Sequence, residues 1–265
     1  MRIHLIFKDF KPKSLYVLCA LRLFNICLTK QSSMLKMYLN KTKNNLIMSK
    51  IYLIHAVEIA IKPIKEAFES HWPEAELVHL WDETLSIERA KTKQLTPFLN
   101  RRIEELAKLA IEGGADAIMF TCSAFGSAIE RAAKNAAIPV LKPNQAMFEK
   151  AIALSGNIGM LGSFAPAIEG MEEEFYQLAA ETNPKAKITS VCIGEARDAL
   201  KLGNIELHNQ VMARGASQLA HTDVLLLAHF SSAPAAALVA AESGKTVLSS
   251  PMSAVQYLKT QLSKS

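Results

Sequence analysis

An internal repeat at a spacing of 107 residues constrains this chain more than any other feature. At that offset Ile51 falls on Ile158, Asp116 on Asp223, and Cys122 on His229. The strings DAIMFTCSAFGSAIERAA and DVLLLAHFSSAPAAALVAA follow one pattern: an aspartate, an apolar run, one reactive side chain, small residues, then a helical stretch. Pro143 follows Cys122 by 21 residues, and Pro251 follows His229 by 22. A chain built this way has to bury two similar units.

Within each unit short apolar runs alternate with longer amphipathic stretches. That alternation is the mark of βαβ connections and a parallel sheet. Strands are expected at 51–55, 77–80, 117–121 and 139–141, and again at 158–162, 188–193, 224–228 and 246–248. Helices are expected at 61–70, 96–112, 124–136, 145–155, 166–181, 206–220 and 233–242, with a last one after Pro251. The fold class is therefore α/β, with two pseudo-symmetric flavodoxin-like lobes, each built on a four-stranded parallel sheet. Residues 48–143 form the first lobe and 144–250 the second, while 251–265 pack back onto the first. No Pro/Gly/Ser-rich linker separates them, so the lobes share an interface.

Half of the residues are apolar and 21% are charged, enough for a sizeable core. The net charge of +5 has to be divided by position. Residues 1–47 hold nine Lys/Arg against one acid, Asp9, whereas the rest holds 21 basic and 24 acidic residues. The body is mildly acidic, which argues against a nucleic-acid-binding face. The apolar stretch SLYVLCALRLFNICL is interrupted by Arg22 and Asn25 and is shorter than the roughly 20 residues of a membrane span. It also lacks a good cleavage site for a signal peptide. Residues 1–47 are read as an upstream-start artefact or a disordered extension, with translation beginning at Met48. Of the four cysteines, Cys19 and Cys27 lie in that stretch; Cys122 and Cys192 are far apart in the body. Nothing resembles a C-x-x-C or metal-ligand spacing, so no metal site is expected and a reducing, cytoplasmic location is. The absence of a P-loop or G-x-G-x-x-G disfavours nucleotide cofactors.

Ligands of open parallel sheets bind beyond the carboxyl ends of the strands. Cys122 and His229 each end a strand there and precede a helix, so two facing lobes would set them on opposite walls of one cleft. Backbone N–H groups and hydroxyls at Ser123, Ala124, Ser231 and Ser232 suit a carboxylate or oxyanion. His55 and Ser163, at the ends of the first strands of the lobes, are expected to line the same crevice and bind substrate. A thiol at a helix N-terminus should have a lowered pKa. A lone cysteine at a strand end is more often a buried hydrophobe, and a lone histidine a core filler. The matched positions favour function for Cys122. For His229 a catalytic role and a pocket-lining role remain equally open. Glu172, Glu173 and Glu174 read as a solvated helix face, and Asn144 as a helix cap.

The string FTCSAFG around Cys122, its counterpart LAHFSSAP and the duplicated lobes resemble the aspartate/glutamate/hydantoin racemase superfamily, which also holds arylmalonate decarboxylases and maleate isomerases. The resemblance covers essentially all of residues 50–262. It implies cofactor-independent, PLP-independent chemistry at a carbon alpha to the carboxylate of a small substrate, in a homodimer or larger assembly without nucleic-acid or membrane partners. In the racemases of that superfamily two cysteines flank the substrate, one removing the alpha proton and the other delivering one to the opposite face. Cys122 matches the first; His229 stands where the second is expected. A Cys/His pair can still run two-base chemistry. A single thiol can instead serve a decarboxylase or a cis-trans isomerase, although the related decarboxylases keep their one cysteine in the other lobe. The remaining alternative is a protein that binds a small carboxylate without turnover.

Overall fold

The computed structural model describes residues 48–92 and 94–263, so the reading of 1–47 lies outside the described residues. The first half runs β1 (Lys50–His55), α1 (Ile61–His71), β2 (Glu76–Trp81), α2 (Thr84–Ala90), α3 (Pro97–Glu112), β3 (Ala117–Phe120), α4 (Gly126–Lys134) and β4 (Val140–Leu141). The second runs α5 (Gln145–Leu154), β5 (Asn157–Gly162), α6 (Ala165–Thr182), β6 (Lys187–Cys192), α7 (Gly194–Lys201), α8 (Ile205–Gly215), β7 (Val224–Leu227), α9 (Ala236–Ser243), β8 (Thr246–Ser249) and α10 (Ser250–Leu262). All strand pairs are parallel, in the orders β2-β1-β3-β4 and β6-β5-β7-β8. These are the two four-stranded parallel sheets that the repeat implied.

The repeat extends to register. Ile51 pairs with Ala117 as Ile158 pairs with Val224, and Ile54 pairs with Phe120 as Leu161 pairs with Leu227. β3 and β7 are buried at every position, as central strands covered on both faces must be, whereas the edge strands β2 and β6 keep several residues exposed. At the amino ends, Asp116 accepts a hydrogen bond from Lys50 N (2.7 Å) and Asp223 accepts one from Ser155 Oγ (2.7 Å). Both aspartates thus work at the rim away from the strands' carboxyl ends.

Local chemistry explains most boundaries. Thr96 caps α3 by accepting from Leu99 N at 3.2 Å, with Pro97 in the first turn where its missing N–H costs nothing. Asn204 caps α8 through Leu207 N at 3.0 Å. α9 stops at Gly244, whose φ of +67° is left-handed and favours glycine. Its start is later than the expected 233, because Pro234 lies in a 3-10 stretch, Phe230–Ala235, that precedes the α-helix. The expected helix at 124–136 is likewise split, with a 3-10 turn at Ser123–Phe125 before α4. Two short helices, α2 and α7, occupy segments for which the periodicity signalled nothing.

The helices between the halves are exchanged. α5 follows β4 of the first sheet, yet its Met147, Phe148, Ala151 and Ile152 pack in the core formed with β5 and β7. α10 follows β8 of the second sheet, yet its Ala254, Val255 and Leu258 join β1, β3 and α1. Phe230, one residue after His229, is buried in that same first-lobe cluster. Burying one such side chain contributes about 2–3 kcal/mol, so the exchange holds the lobes against one another.

A second tie is ionic. Lys142 Nζ lies 2.7 Å from Glu130 Oε1 on α4 and 3.3 Å from Glu174 Oε1 on α6. The Glu174 side chain is only 12% exposed, which corrects the reading of Glu172 to Glu174 as a uniformly solvated face. Burial pushes its carboxyl above the ordinary range while Lys142 pulls it down. Among the described residues no helix is long and apolar enough to cross a membrane.

Candidate active site

A cleft of about 420 Å³ opens where the carboxyl ends of the two sheets meet. From the first lobe Thr121, Cys122, Ser123 and Ala124 line it, and from the second Ser163, His229 and Ser231. Six of the eight residues singled out from the sequence therefore share one wall or the other. The turns that carry the two reactive side chains are alike. Cys122 has φ −124° and ψ 123°, His229 φ −122° and ψ 146°, both extended, and each lies just beyond its strand, immediately before a 3-10 turn. Thr121 N donates to Ile54 O and Ala228 N to Leu161 O, each at 3.0 Å, so both turns leave the central strand at one register position.

His55 and Ser232 are not among the residues lining the cleft. His55 is fully buried, with Nδ1 3.0 Å from Thr121 Oγ1 and Nε2 2.9 Å from His79 Nδ1, and its ring stacks on that of His79. Thr121 Oγ1 donates to Ile54 O, so a consistent set has His55 Nδ1–H donating to Thr121 and His79 Nδ1–H donating to His55. Burial, then the neighbouring His79, holds the His55 imidazolium down to about 4. His55 thus supports the residue before Cys122 from behind, and the expectation that it touches substrate is corrected. Ser232 is buried, its N–H bonded to His229 O at 2.9 Å and its hydroxyl without a partner among the described residues.

The thiol corrects a second expectation. Burial pushes the Cys122 pKa up, and a backbone hydrogen bond from Ala124 and the Arg89 charge only partly oppose this. Three residues of 3-10 turn are not a helix N-terminus, and desolvation of the thiolate outweighs what the turn offers. The resting group is a thiol. Arg89, on α2, also donates from Nε to Ala124 O at 3.0 Å and bonds Thr92 O, so one guanidinium pins the Cys122 turn while its charge favours the thiolate.

The second lobe has its own arginine. Arg197, on α7, lines the cleft and lies 4.1 Å over the Phe164 ring. His229 accepts a hydrogen bond at Nδ1 from Ser163 N at 3.3 Å, and its Nε2 has no partner among the described residues. Burial first and Arg197 second depress its pKa to about 4. Neither arginine was read from the sequence. The signal available was slight: Leu85 and Arg89 at a helical spacing of four, and Ala196 and Ala199 as the buried pair of α7. Asn144 holds the N-cap position of α5, as read, but makes no side-chain cap bond; its Oδ1 accepts from Ser250 Oγ at 2.7 Å, and its Nδ2, at the cleft, has no partner among the described residues. Among the described residues no cluster of His, Cys, Asp or Glu is placed to hold a metal ion.

No family model and no curated protein matches the sequence. Solved structures do match. Glutamate racemase from Bacillus anthracis superposes with a TM-score of 0.60 at 16% identity, over 82% of each chain. The chain has the two-lobe fold of the racemases. Allantoin racemase from Klebsiella pneumoniae gives a TM-score of 0.60 at 14% identity, over 81% of this chain and 88% of that one. Aspartate racemase from Picrophilus torridus gives 0.58 at 12% identity, over 80% and 94%. These are racemases of the kind that the resemblance around Cys122 named. At such low identity the shared property is the racemase fold itself.

Proposed function

We propose that this chain is a cofactor-independent enzyme of the racemase/epimerase type that moves a proton at the carbon alpha to the carboxylate of a small substrate. Cys122 is its acid/base, and His229 faces the substrate from the other lobe. The observation that carries the reading is that two strand-end turns at equivalent positions present Cys122 and His229 to one cleft. The hydroxyls of Ser123, Ser163 and Ser231 lie on the same walls, beside Ala124, and suit the carboxylate. The cleft has the volume of a small-metabolite site. A cytoplasmic homodimer or larger assembly belongs to the same reading, as does a body that begins at Met48 and folds without residues 1–47.

The test is solvent deuterium incorporation at the alpha carbon of a panel of amino acids, hydantoins and malonates, with wild type and Cys122→Ala compared. Exchange or turnover by the wild type that disappears in the variant supports the proposal. Tight binding with no exchange, no CO2 release and no double-bond shift, unchanged by Cys122→Ser, would sink it in favour of a carboxylate-binding protein. A decarboxylase or cis-trans isomerase remains the second reading, favoured by the absence of a second thiol at His229 and by the raised pKa of the one that is there.

A further inference from the structure

We propose that His229 acts as a fixed, neutral hydrogen-bond donor through Nε2–H, so that the substrate carbon exchanges its proton only on the Cys122 face. This rests on the cleft being a proton-transfer site and, within that reading, selects the one-thiol, one-face chemistry of the second reading over racemisation.

The inference follows from what holds the imidazole ring. Ser163 N lies 3.3 Å from His229 Nδ1. A backbone N–H can only donate, so Nδ1 presents its lone pair and the single ring proton sits on Nε2. To take a proton from substrate at Nε2, the ring would need its own proton on Nδ1, pointing at the Ser163 N–H. To give a proton up from Nε2 as an acid, it would first have to be protonated at Nδ1, with the same collision. Either role requires breaking the Ser163 contact, whereas donating from Nε2 without transfer requires nothing.

The surroundings point the same way. The charged group that acts on His229 is Arg197, a cation, which opposes an imidazolium as burial does. The ring packs beside the glycine that ends β5. A Cβ on Gly162 would lie 3.5 Å from His229 Cε1 and 2.4 Å from Ile168 Cδ1. In the first lobe the equivalent residue is His55, which is buried and bonds Thr121 without lining the cleft. His229 Nε2 is buried with no partner among the described residues, and Asn144 Nδ2 is in the same condition. Both residues line the cleft. A buried donor left unbonded costs about 1–3 kcal/mol, so each is a place where an acceptor oxygen of a bound ligand is stabilising.

The step balances with one acid/base. Cys122 first gives its thiol proton to solvent; as the alpha C–H bond breaks, its proton passes to the Cys122 thiolate to form the S–H bond, and the electron pair moves into the carboxylate to give an enediolate. His229 Nε2–H hydrogen-bonds an enediolate oxygen and keeps its proton. The Cys122 thiol exchanges with solvent and returns a proton, or a deuteron, to the same face. Configuration is retained. If the enediolate arises instead by loss of CO2 from a malonate, the same thiol protonates one face and the product is a single enantiomer.

In D2O, with separate enantiomers of glutamate, aspartate and allantoin and a prochiral malonate as probes, deuterium is expected at the alpha carbon with retention. The antipode should form at under about one-hundredth of the exchange rate, the size of a missing acid/base catalyst. His229→Gln, which keeps an N–H donor, should retain exchange within about tenfold; His229→Leu should lose about a hundredfold in kcat with little change in KM. Antipode formed as fast as deuterium enters overturns the inference while leaving the proton-transfer reading standing. Loss of exchange in His229→Gln as complete as in Cys122→Ala does the same. Failure of every probe, with Cys122→Ala indistinguishable from wild type, overturns the reading and the inference together. Nitrogen-15 NMR of the unliganded full chain gives an answer that needs no substrate. A neutral Nε2–H ring from pH 6 to 8 supports the assignment, and an imidazolium or an Nδ1–H tautomer in that range overturns it.

Discussion

The two strand-end turns, one at Cys122 and one at His229, are nearly superposable in backbone and unlike in chemistry. Each leaves a central strand at the same register, is extended, and is followed by a 3-10 turn. Each has an arginine from the preceding short helix beside it, Arg89 on α2 and Arg197 on α7. The backbone is what a duplicated fold preserves, because register and burial allow little else. The side chains are free to diverge, and here they have separated the roles. In the first lobe, Arg89 draws the thiol toward ionisation against burial. In the second, burial and then Arg197 oppose the imidazolium, and the Ser163 amide occupies Nδ1.

The largest test of that division is Cys122→Ala. Loss of an acid/base group is expected to lower turnover by about 10³-fold or more, with the thermal midpoint near that of wild type. A rate within tenfold of wild type would place the chemistry elsewhere. The next tests the tie that holds the two turns face to face. Lys142→Met strands the largely buried Glu174 carboxylate between α4 and α6 and is expected to cost about 3 kcal/mol in urea unfolding. Lys142→Met combined with Glu174→Leu should recover most of that loss. No recovery would mean that the triad does not act as a unit.

The histidines of the two lobes give a test by pH. His55 titrates near 4 in the folded protein, against 6.5 ordinarily. Below 6.5 the unfolded chain takes up a proton that the folded one refuses until about 4, so this contribution is complete above 6.5 and lost as pH falls through that window. The slope reaches about 1.4 kcal/mol per pH unit for one group. His229, with its pKa depressed to about 4, adds a slope of the same sign. His55→Gln should flatten the acid limb of the stability curve while catalysis persists, because His55 stands behind Thr121 and not at the cleft. Equal slopes in wild type and both single variants would remove the histidines from the account.

The smallest expected effect compares the arginines directly. Arg89→Leu should slow turnover by about tenfold and move the Cys122 limb of the pH–rate profile upward, since the lost charge favoured the thiolate. Arg197→Leu should instead let the His229 pKa rise toward its ordinary value. Shifts in the same direction at Cys122 in both variants would mean that the two arginines act as one charge field.

By itself the sequence determined the duplication, the parallel sheets and the placing of Cys122 and His229 at equivalent strand ends. It could do so because hydrophobic runs and their spacing are local and because a repeat can be counted. It also carried Ser123, Ala124, Ser163 and Ser231 to the cleft, since strand ends of a parallel sheet open on one side. It did not reveal α2 and α7, whose few buried residues leave almost no periodic signal, and so it missed Arg89 and Arg197. It put His55 in the cleft and the thiol at a lowered pKa. Only the tertiary structure decided those points. Which way a strand-end side chain turns depends on neighbours such as Thr121 and His79. Whether a thiol ionises depends on how much water the fold removes from it.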